Sequence, residues 1–576
     1  MIHYHVSFPE PHRHVARILL AATMPDGPLR LHLPVWTPGS YLVREFSRYL
    51  QEFEAHDESG KPLATRRLAK GSWEVTGVPG TAVRISYAAY CHERSVRTPH
   101  IDGGHAFFTG SNLLLRVEGA ESGPHTVQVT PPPGWTVFTA GGPGVETRVL
   151  PDYDHVADLA VEVGPHRHTT IGILGVDHDL VFWGADQTSV ELPRLSDAIS
   201  RIVEANARMF GGSLPYTRYM FVFHIASDLR GGLEHLDSTV LATPWRFFET
   251  DAGWLELLGL ISHEHFHVWN VKRIRPSVLG PFDYQSENYT RSLWISEGAT
   301  SYFDNLNCLR AGVMTRQQWL DALATDLTRY LDTPGRHAQS VAESSFDAWI
   351  RLYRPDENTS NRTVSYYLKG AIISLCLDLT IRARTAGGSS FDALLQQYWR
   401  QFLADGRGFD EDRVAEDIRT ATGVDVGSEL QHWVESPNDP PIAELLASHG
   451  IRLVSKPTAD SALGFAFSSA PDGWRVSSVA AGGPAAGRAL YPGDTIVAID
   501  GRRATADGTR DWLLSRPAGT GYEAHLFRRD RLIAVCLQLG ETIARTISLE
   551  VVPAAAPAVK SLLDAWLPSQ GENPPA

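Results

Sequence analysis

The 576-residue chain has only four cysteines, Cys91, Cys308, Cys376 and Cys536. They lie far apart, and no two form a Cys-x-x-Cys pair. A disulfide framework is therefore not expected, and the four read as free thiols of a reducing compartment. Long basic runs are also missing, and 52 Lys and Arg face 66 Asp and Glu, for a formal charge of −14. Phosphate recognition needs concentrated positive charge, so nucleic acid is not expected as a partner. No stretch of about 18 consecutive apolar residues occurs, and no membrane span is expected. The opening segment, Met1-Ile2-His3-Tyr4-His5-Val6, reads as a strand and lacks a basic region followed by an apolar one. That points to the cytoplasm, or to the periplasm if a leader has been removed. Repeats of solenoid length are absent as well.

What is present is ordinary globular material in several parts. Hydrophobic residues make up 43% and charged residues 20%, and the length suits roughly three to five domains. Residues 1–165 alternate apolar and polar between Gly and Pro turns, as in Val83-Arg84-Ile85-Ser86-Tyr87 and Leu113-Leu114-Leu115-Arg116-Val117. That period predicts a β-rich domain, with Pro131-Pro132-Pro133-Gly134-Trp135 as a turn. Residues 166–300 mix strands, such as Leu180–Trp183 and Tyr219–Phe223, with helical spacing over Ser196–Phe210. Residues 301–445 are helical, including Tyr367–Arg382 and Phe391–Phe402. The stretch Ser436-Pro437-Asn438-Asp439-Pro440-Pro441 marks a boundary. A second β-rich domain is expected over 450–545, then a tail, 546–576, that docks loosely or is partly disordered.

The chemistry starts at His263-Glu264-His265-Phe266-His267. On a helix, residues four apart share a face, so His263 and His267 can direct two imidazoles at one Zn²⁺. Glu264 lies about 100° round the helix, placed to take a proton from a water as that water attacks a carbonyl. His265 falls on another face and reads as structural or as a support behind the ligands, and His224 and His235 read as structural or substrate-facing, not metal-bound. A third ligand is sought downstream. Glu297 is an acidic residue among Leu293, Trp294, Ile295, Ala299 and Phe303, and a carboxylate in such a setting is costly unless paired or metal-bound. Two His and one Glu with an open fourth position form a catalytic zinc set. Asp304 and Glu287 compete for the role. His and carboxylate ligands would also accept Co²⁺ or Mn²⁺.

The string His263-Glu264-His265-Phe266-His267-Val268-Trp269-Asn270-Val271-Lys272-Arg273-Ile274-Arg275-Pro276 resembles the glycyl aminopeptidase family, PDZ-carrying gluzincins distantly related to aminopeptidase N. The likeness extends to Trp36-Thr37-Pro38-Gly39-Ser40-Tyr41, to Gly231-Gly232-Leu233-Glu234-His235 and to Ser365-Tyr366-Tyr367-Leu368-Lys369-Gly370. It implies a multidomain α+β fold: an N-terminal β domain, a thermolysin-like α/β zinc peptidase core with a helical C-terminal part, and a PDZ-like domain. It implies that Glu234, after the glycines Gly231 and Gly232, holds the substrate's free α-amine through a charge-assisted bond. His235 stands where aminopeptidase N proteins carry Asn. Tyr367 matches the oxyanion-stabilising tyrosine, with Tyr366 as the adjacent competitor. Leu463-Gly464-Phe465 and the stretch from Val479 to Gly501 resemble a PDZ core, which takes a peptide C-terminus as an added strand.

The expected function is a zinc aminopeptidase with one ion that removes small first residues, Gly or Ala, from peptides. Two other readings remain at this point. A zinc endopeptidase would use the same metal set and leave Glu234 without an amine to bind. A non-catalytic PDZ scaffold would carry a vestigial metal site.

Overall fold

The structure is a computed structural model describing residues 2–542, 545–553 and 555–568. The chain folds into two compact units. The first comprises residues 1–290, 303–314 and 395–411, and the second 291–302, 315–394 and 412–576.

The first unit begins β-rich, as the alternation predicts. In strand Ile2–Ser7, Ile2, Tyr4 and Val6 are buried while His3 is exposed. This strand lies inside a six-stranded sheet, between His125–Thr130 and Val15–Thr23. Ile18, Leu20, Ile85, Tyr87 and Val127 meet Tyr4 in one core. The expected strand Leu113–Val117 is not one. Gly110–Leu113 is a helical turn closed by reciprocal bonding between Thr109 and Asn112, and only Arg116–Val117 pairs as a strand. All of Leu113, Leu114 and Leu115 are buried, so no polar face exists to fix a two-residue period.

A mixed five-stranded sheet follows, in the order Arg167–Ile173, Val176–Trp183, Arg218–Ile225, Ser238–Thr243 and Gly231–Glu234. The last strand lies at the edge and runs antiparallel to its neighbour. Helices Leu192–Met209 and Asp251–Phe266 pack against each other, and the second packs on the two strands at that edge. Thr250 caps it, accepting from Gly253 N.

The second unit is built on helices, among them Arg316–Leu331 and Tyr366–Arg384. The latter lies in Thr359–Arg384, among the described residues the one helical stretch long and apolar enough to cross a membrane, and 78% of its apolar window is buried inside the protein. The unit continues into a β-rich module. Its strands run in the order Phe465–Ala470, Gly473–Val479, Thr495–Ile499, Gly521–Arg528 and Arg531–Gln538, with a short helix, Thr509–Leu514. The tail does not dock loosely in its described part. Residues 545–551 pair along Ile451–Pro457, and helix Pro557–Trp566 buries Trp566 completely. The Trp566 indole N–H donates to Tyr302 Oη at 3.0 Å and its ring meets Trp319 edge-on. Alanine and proline content hid this helix, whose apolar contacts are confined to one stripe.

Candidate active site

Helix Asp251–Phe266 carries the zinc-type motif at its C-terminal end. His263 and His267 are held from behind. The His267 Nδ1 is 2.6 Å from the Asn270 carbonyl oxygen, and His263 Nδ1 is 3.2 Å from Asp304 Oδ2. A carbonyl and a carboxylate only accept, so each Nδ1–H donates. In the neutral rings both Nε2 atoms then carry lone pairs, and those atoms face each other at 3.1 Å. Two lone pairs at that distance repel unless a cation lies between them, so this pair fits a divalent metal. Asp304, weighed above as a ligand, instead orients a ligand. Burial pushes its carboxyl up while His263 pulls it down. Glu287 is half-buried and away from regular structure.

His265 points elsewhere. Its Nε2 is 2.8 Å from Tyr216 Oη and its Nδ1 is 3.2 Å from Asn206 Nδ2. It is fully buried, which holds its pKa well down, so it is a neutral strut between helices and sheet.

The edge strand brings a second carboxylate to the motif. Glu234, Glu264 and His267 each present a ligand atom within 4.8 Å of the others. Glu234 is 3% and Glu264 5% exposed. The glycines of this strand have separate reasons. Gly231 has φ +132°, which side chains rarely adopt. A Cβ on Gly232 would lie 2.0 Å from Glu264 Oε1, so the strand passes directly over that carboxylate. The Arg97 guanidinium donates to the Gly232 carbonyl at 3.0 Å.

The role of Trp36–Tyr41 is also spatial. A Cβ on Gly39 would lie 2.3 Å from Glu234 Oε1, so this N-terminal loop closes over the Glu234 carboxylate. Among the described residues no hydrogen-bond partner reaches Glu234 Oε1. Behind Gly39, Trp36, Tyr41, Phe282 and Tyr284 surround a cavity of about 50 Å³ that also reaches Asp158 and Lys272.

Asp158 is the residue that sequence reasoning missed. It accepts from Lys272 Nζ at 2.7 Å and from Leu236 N at 2.6 Å, and His235 Nδ1 lies 3.5 Å away. Burial alone would raise its pKa. Lys272, His235 and the Leu236 N–H outweigh that and hold it far below the usual carboxylate range. One side chain thus fastens the turn after Glu234 to the stretch after the motif helix. No local pattern marks it, because its partners are 78 and 114 residues away.

Glu297, Tyr366 and Tyr367 belong to the second unit. Glu297 is 2% exposed and sits in a π-helical turn, Trp294–Ala299, that leads into helix Thr300–Arg310. Such turns recur at functional sites. Beside it, Gly298 packs on Gly370, where a Cβ would be 2.5 Å from the Gly370 Cα. Tyr-x-Lys-Gly therefore ends in glycine so that two backbones can touch. Tyr366 is fully buried and Tyr367 half-buried. Both hydroxyls meet Tyr353 Oη, at 3.2 and 3.0 Å. Burial first, then the Glu297 charge, keeps the Tyr367 phenol protonated well above its ordinary pKa.

Known proteins were compared with this chain. The profile of the M61 glycyl aminopeptidase family matches residues 256–373, and that of the Peptidase M61 N-terminal domain matches residues 3–165. No curated protein matches. The crystal structure of an aminopeptidase N family protein from Idiomarina loihiensis superimposes with a TM-score of 0.93 at 28% identity, covering 98% of this chain and 100% of that one. An M1 zinc metallopeptidase from Deinococcus radiodurans gives a TM-score of 0.48 at 18% identity, over 77% of this chain and 94% of that one. Two profiles of one family in their proper order, and a structural match along nearly the whole length, place this chain in the M61 glycyl aminopeptidase family, and with it among the metalloaminopeptidases.

Proposed function

We propose that the chain is a one-zinc aminopeptidase that removes small first residues, Gly or Ala, from peptides. The observation that carries this is the pair of buried carboxylates, Glu234 and Glu264, grouped with His267 and roofed by Gly39. Two desolvated anions so close demand cationic partners. A substrate ammonium is the partner that an edge-strand carboxylate can take, and only a chain terminus offers one.

In this reading His263, His267 and Glu297 hold the zinc, which when bound supplies Lewis acidity to the scissile carbonyl and acidifies water. The chain's own residues do the rest. Glu234 receives the ammonium group and sets the first peptide bond in register. Glu264 accepts the proton of the attacking water and delivers it to the leaving amine. Tyr367, the more accessible of the two phenols, donates to the carbonyl oxygen as charge develops on it. In the C-terminal module, strand Phe465–Ala470 lies at a sheet edge directly after Gly464, whose φ is +70°. That arrangement supports a PDZ-like module that takes a peptide C-terminus as an added strand.

The test is paired peptides beginning with Gly or Ala, free or acetylated, with Glu264→Gln as control. Cleavage restricted to free termini and abolished in the variant is expected. Cleavage of both forms would make the enzyme an endopeptidase and leave Glu234 without its amine. Cleavage of neither would move the assignment to the scaffold reading.

A further inference from the structure

A second convergence of imidazoles lies in the first unit and shares no residue with the site above. Its centre is Glu162, on strand Ala160–Gly164 and completely buried. Glu162 Oε1 is 2.8 Å from His105 Nδ1 and 2.6 Å from His166 Nε2, and Oε2 is 2.8 Å from His224 Nε2. His105, His166 and His224 have side chains at most 5% exposed. Behind His105, its Nε2 meets His100 Nδ1 at 2.8 Å, and His100 Nε2 faces Asp102 Oδ2 at 4.0 Å. The walls are dry: the His105 ring stacks on Trp183 at 4.1 Å, and Phe107 and Trp183 flank His224 edge-on.

We propose that His105, His166 and Glu162 form a second metal site, for a first-row divalent ion such as Zn²⁺, with His224 holding the other oxygen of Glu162. Imidazoles and carboxylates are donors that these ions prefer. Burying one carboxylate and three imidazoles only to satisfy one another is an expensive way to fill a core, which apolar side chains fill more cheaply. The outer shell points the same way. Without metal, a neutral His105 that donates from Nδ1–H to Glu162 accepts at Nε2 from His100 Nδ1–H. The neutral His100 then turns a bare Nε2 toward the Asp102 carboxylate, an unfavourable arrangement. With His105 Nδ1 on a metal, its proton sits on Nε2 and donates to His100 Nδ1, and the His100 proton sits on Nε2, facing Asp102. The two protons are conserved and every donor faces an acceptor, which is how outer-shell partners fix a ligating imidazole. His105 Nδ1 or Nε2, a Glu162 oxygen and a His166 nitrogen lie within 4.8 Å of one another, and ligands about 2.0–2.1 Å from a metal stand about 3.3 Å apart.

The test uses the full chain, stripped by a chelator, dialysed against Zn²⁺, passed through gel filtration and counted by elemental analysis. Two ions per chain are expected. One is expected in the His263→Ala/His267→Ala double variant, which keeps the new site. One is also expected in His166→Gln, with cleavage of free-amine peptides retained. One ion in the wild type and none in the double variant would overturn the proposal. So would two ions in both the wild type and His166→Gln, since the second would then lie elsewhere. If His166→Gln loses its circular dichroism, the double variant decides alone.

Discussion

Gly39→Ala separates the proposed amine anchor, Glu234, from the rest of the site. The new Cβ would lie 2.3 Å from Glu234 Oε1 and 2.7 Å from Oε2, at a residue with φ +93°. The obstacle is the far end of a side chain, not backbone, so the clash is relieved by displacing the carboxylate. The stability cost is then the left-handed backbone alone, about 1–2 kcal/mol. The functional cost is the charge-assisted bond to the substrate ammonium, about 1.5–3 kcal/mol, or about tenfold to 150-fold in kcat/KM. Glu264 and the His263–His267 pair are untouched, so metal content stays at the wild-type level. The assay is kcat/KM on a glycyl or alanyl anilide, beside a thermal melt and a metal count. Free-amine kcat/KM within twofold of wild type would refute the reasoning, because the Glu234 carboxylate would then not be the anchor.

Three further outcomes are expected. Asp304→Asn, which replaces the carboxylate that accepts from His263 Nδ1, weakens zinc affinity by about 10–100-fold in chelator competition. Asp158→Asn leaves Lys272 buried without its anion, and costs about 3–5 kcal/mol in denaturant unfolding. The pH dependence has a definite sign. The folded carboxylate is held far below its unfolded value of about 3.9, so its contribution is full above that value and is lost as the pH falls toward the folded one. Between pH 5 and 2 the variant therefore shows a shallower loss of stability than wild type; equal slopes would show that Asp158 does not titrate this way. Gly298→Ala pushes a Cβ to 2.5 Å from the Gly370 Cα, where no side chain can yield. It lowers stability by about 1–3 kcal/mol and kcat with it, read by melting and by initial rates.

Short-range geometry was legible in the sequence. The helical period was enough to bring His263 and His267 to one face, and an acidic residue among apolar ones was enough to single out Glu297, which is buried. The strand alternation of Ile2–Ser7 and the helical spacing near Ser196–Phe210 were readable for the same reason: one face is wet. Where both faces are buried, as at Leu113–Leu115, the period vanished and a helical turn took the place of a strand. What could not be read is closure over long separations. Gly39 over Glu234 spans 195 positions, and Asp158 to Lys272 spans 114. The cluster around Glu162 gathers histidines from positions 105, 166 and 224, which share no ligand spacing in the sequence. Motif resemblance marked Trp36–Tyr41 and Ser365–Gly370 as important without saying why. Gly39 and Gly370 supply the reason, since each removes a Cβ where a charge or a backbone must pass.

Glycine is used alike in both units. Gly39 lies against the Glu234 carboxylate, Gly232 against the Glu264 carboxylate, and Gly298 against Gly370 beside Glu297. In the first two cases backbone, not a side chain, closes on the charged group. A backbone wall has no rotamers to lose and sheds its hydration once, when the chain folds, so the carboxylates stay desolvated at no further entropic cost. Desolvated anions interact strongly with any cation that reaches them. Glu234 and Glu264 are close enough that neutralising one lowers the electrostatic cost of keeping the other ionised. In the proposed mechanism an ammonium held at Glu234 therefore stands beside the proposed base, Glu264, as well as fixing the substrate's position.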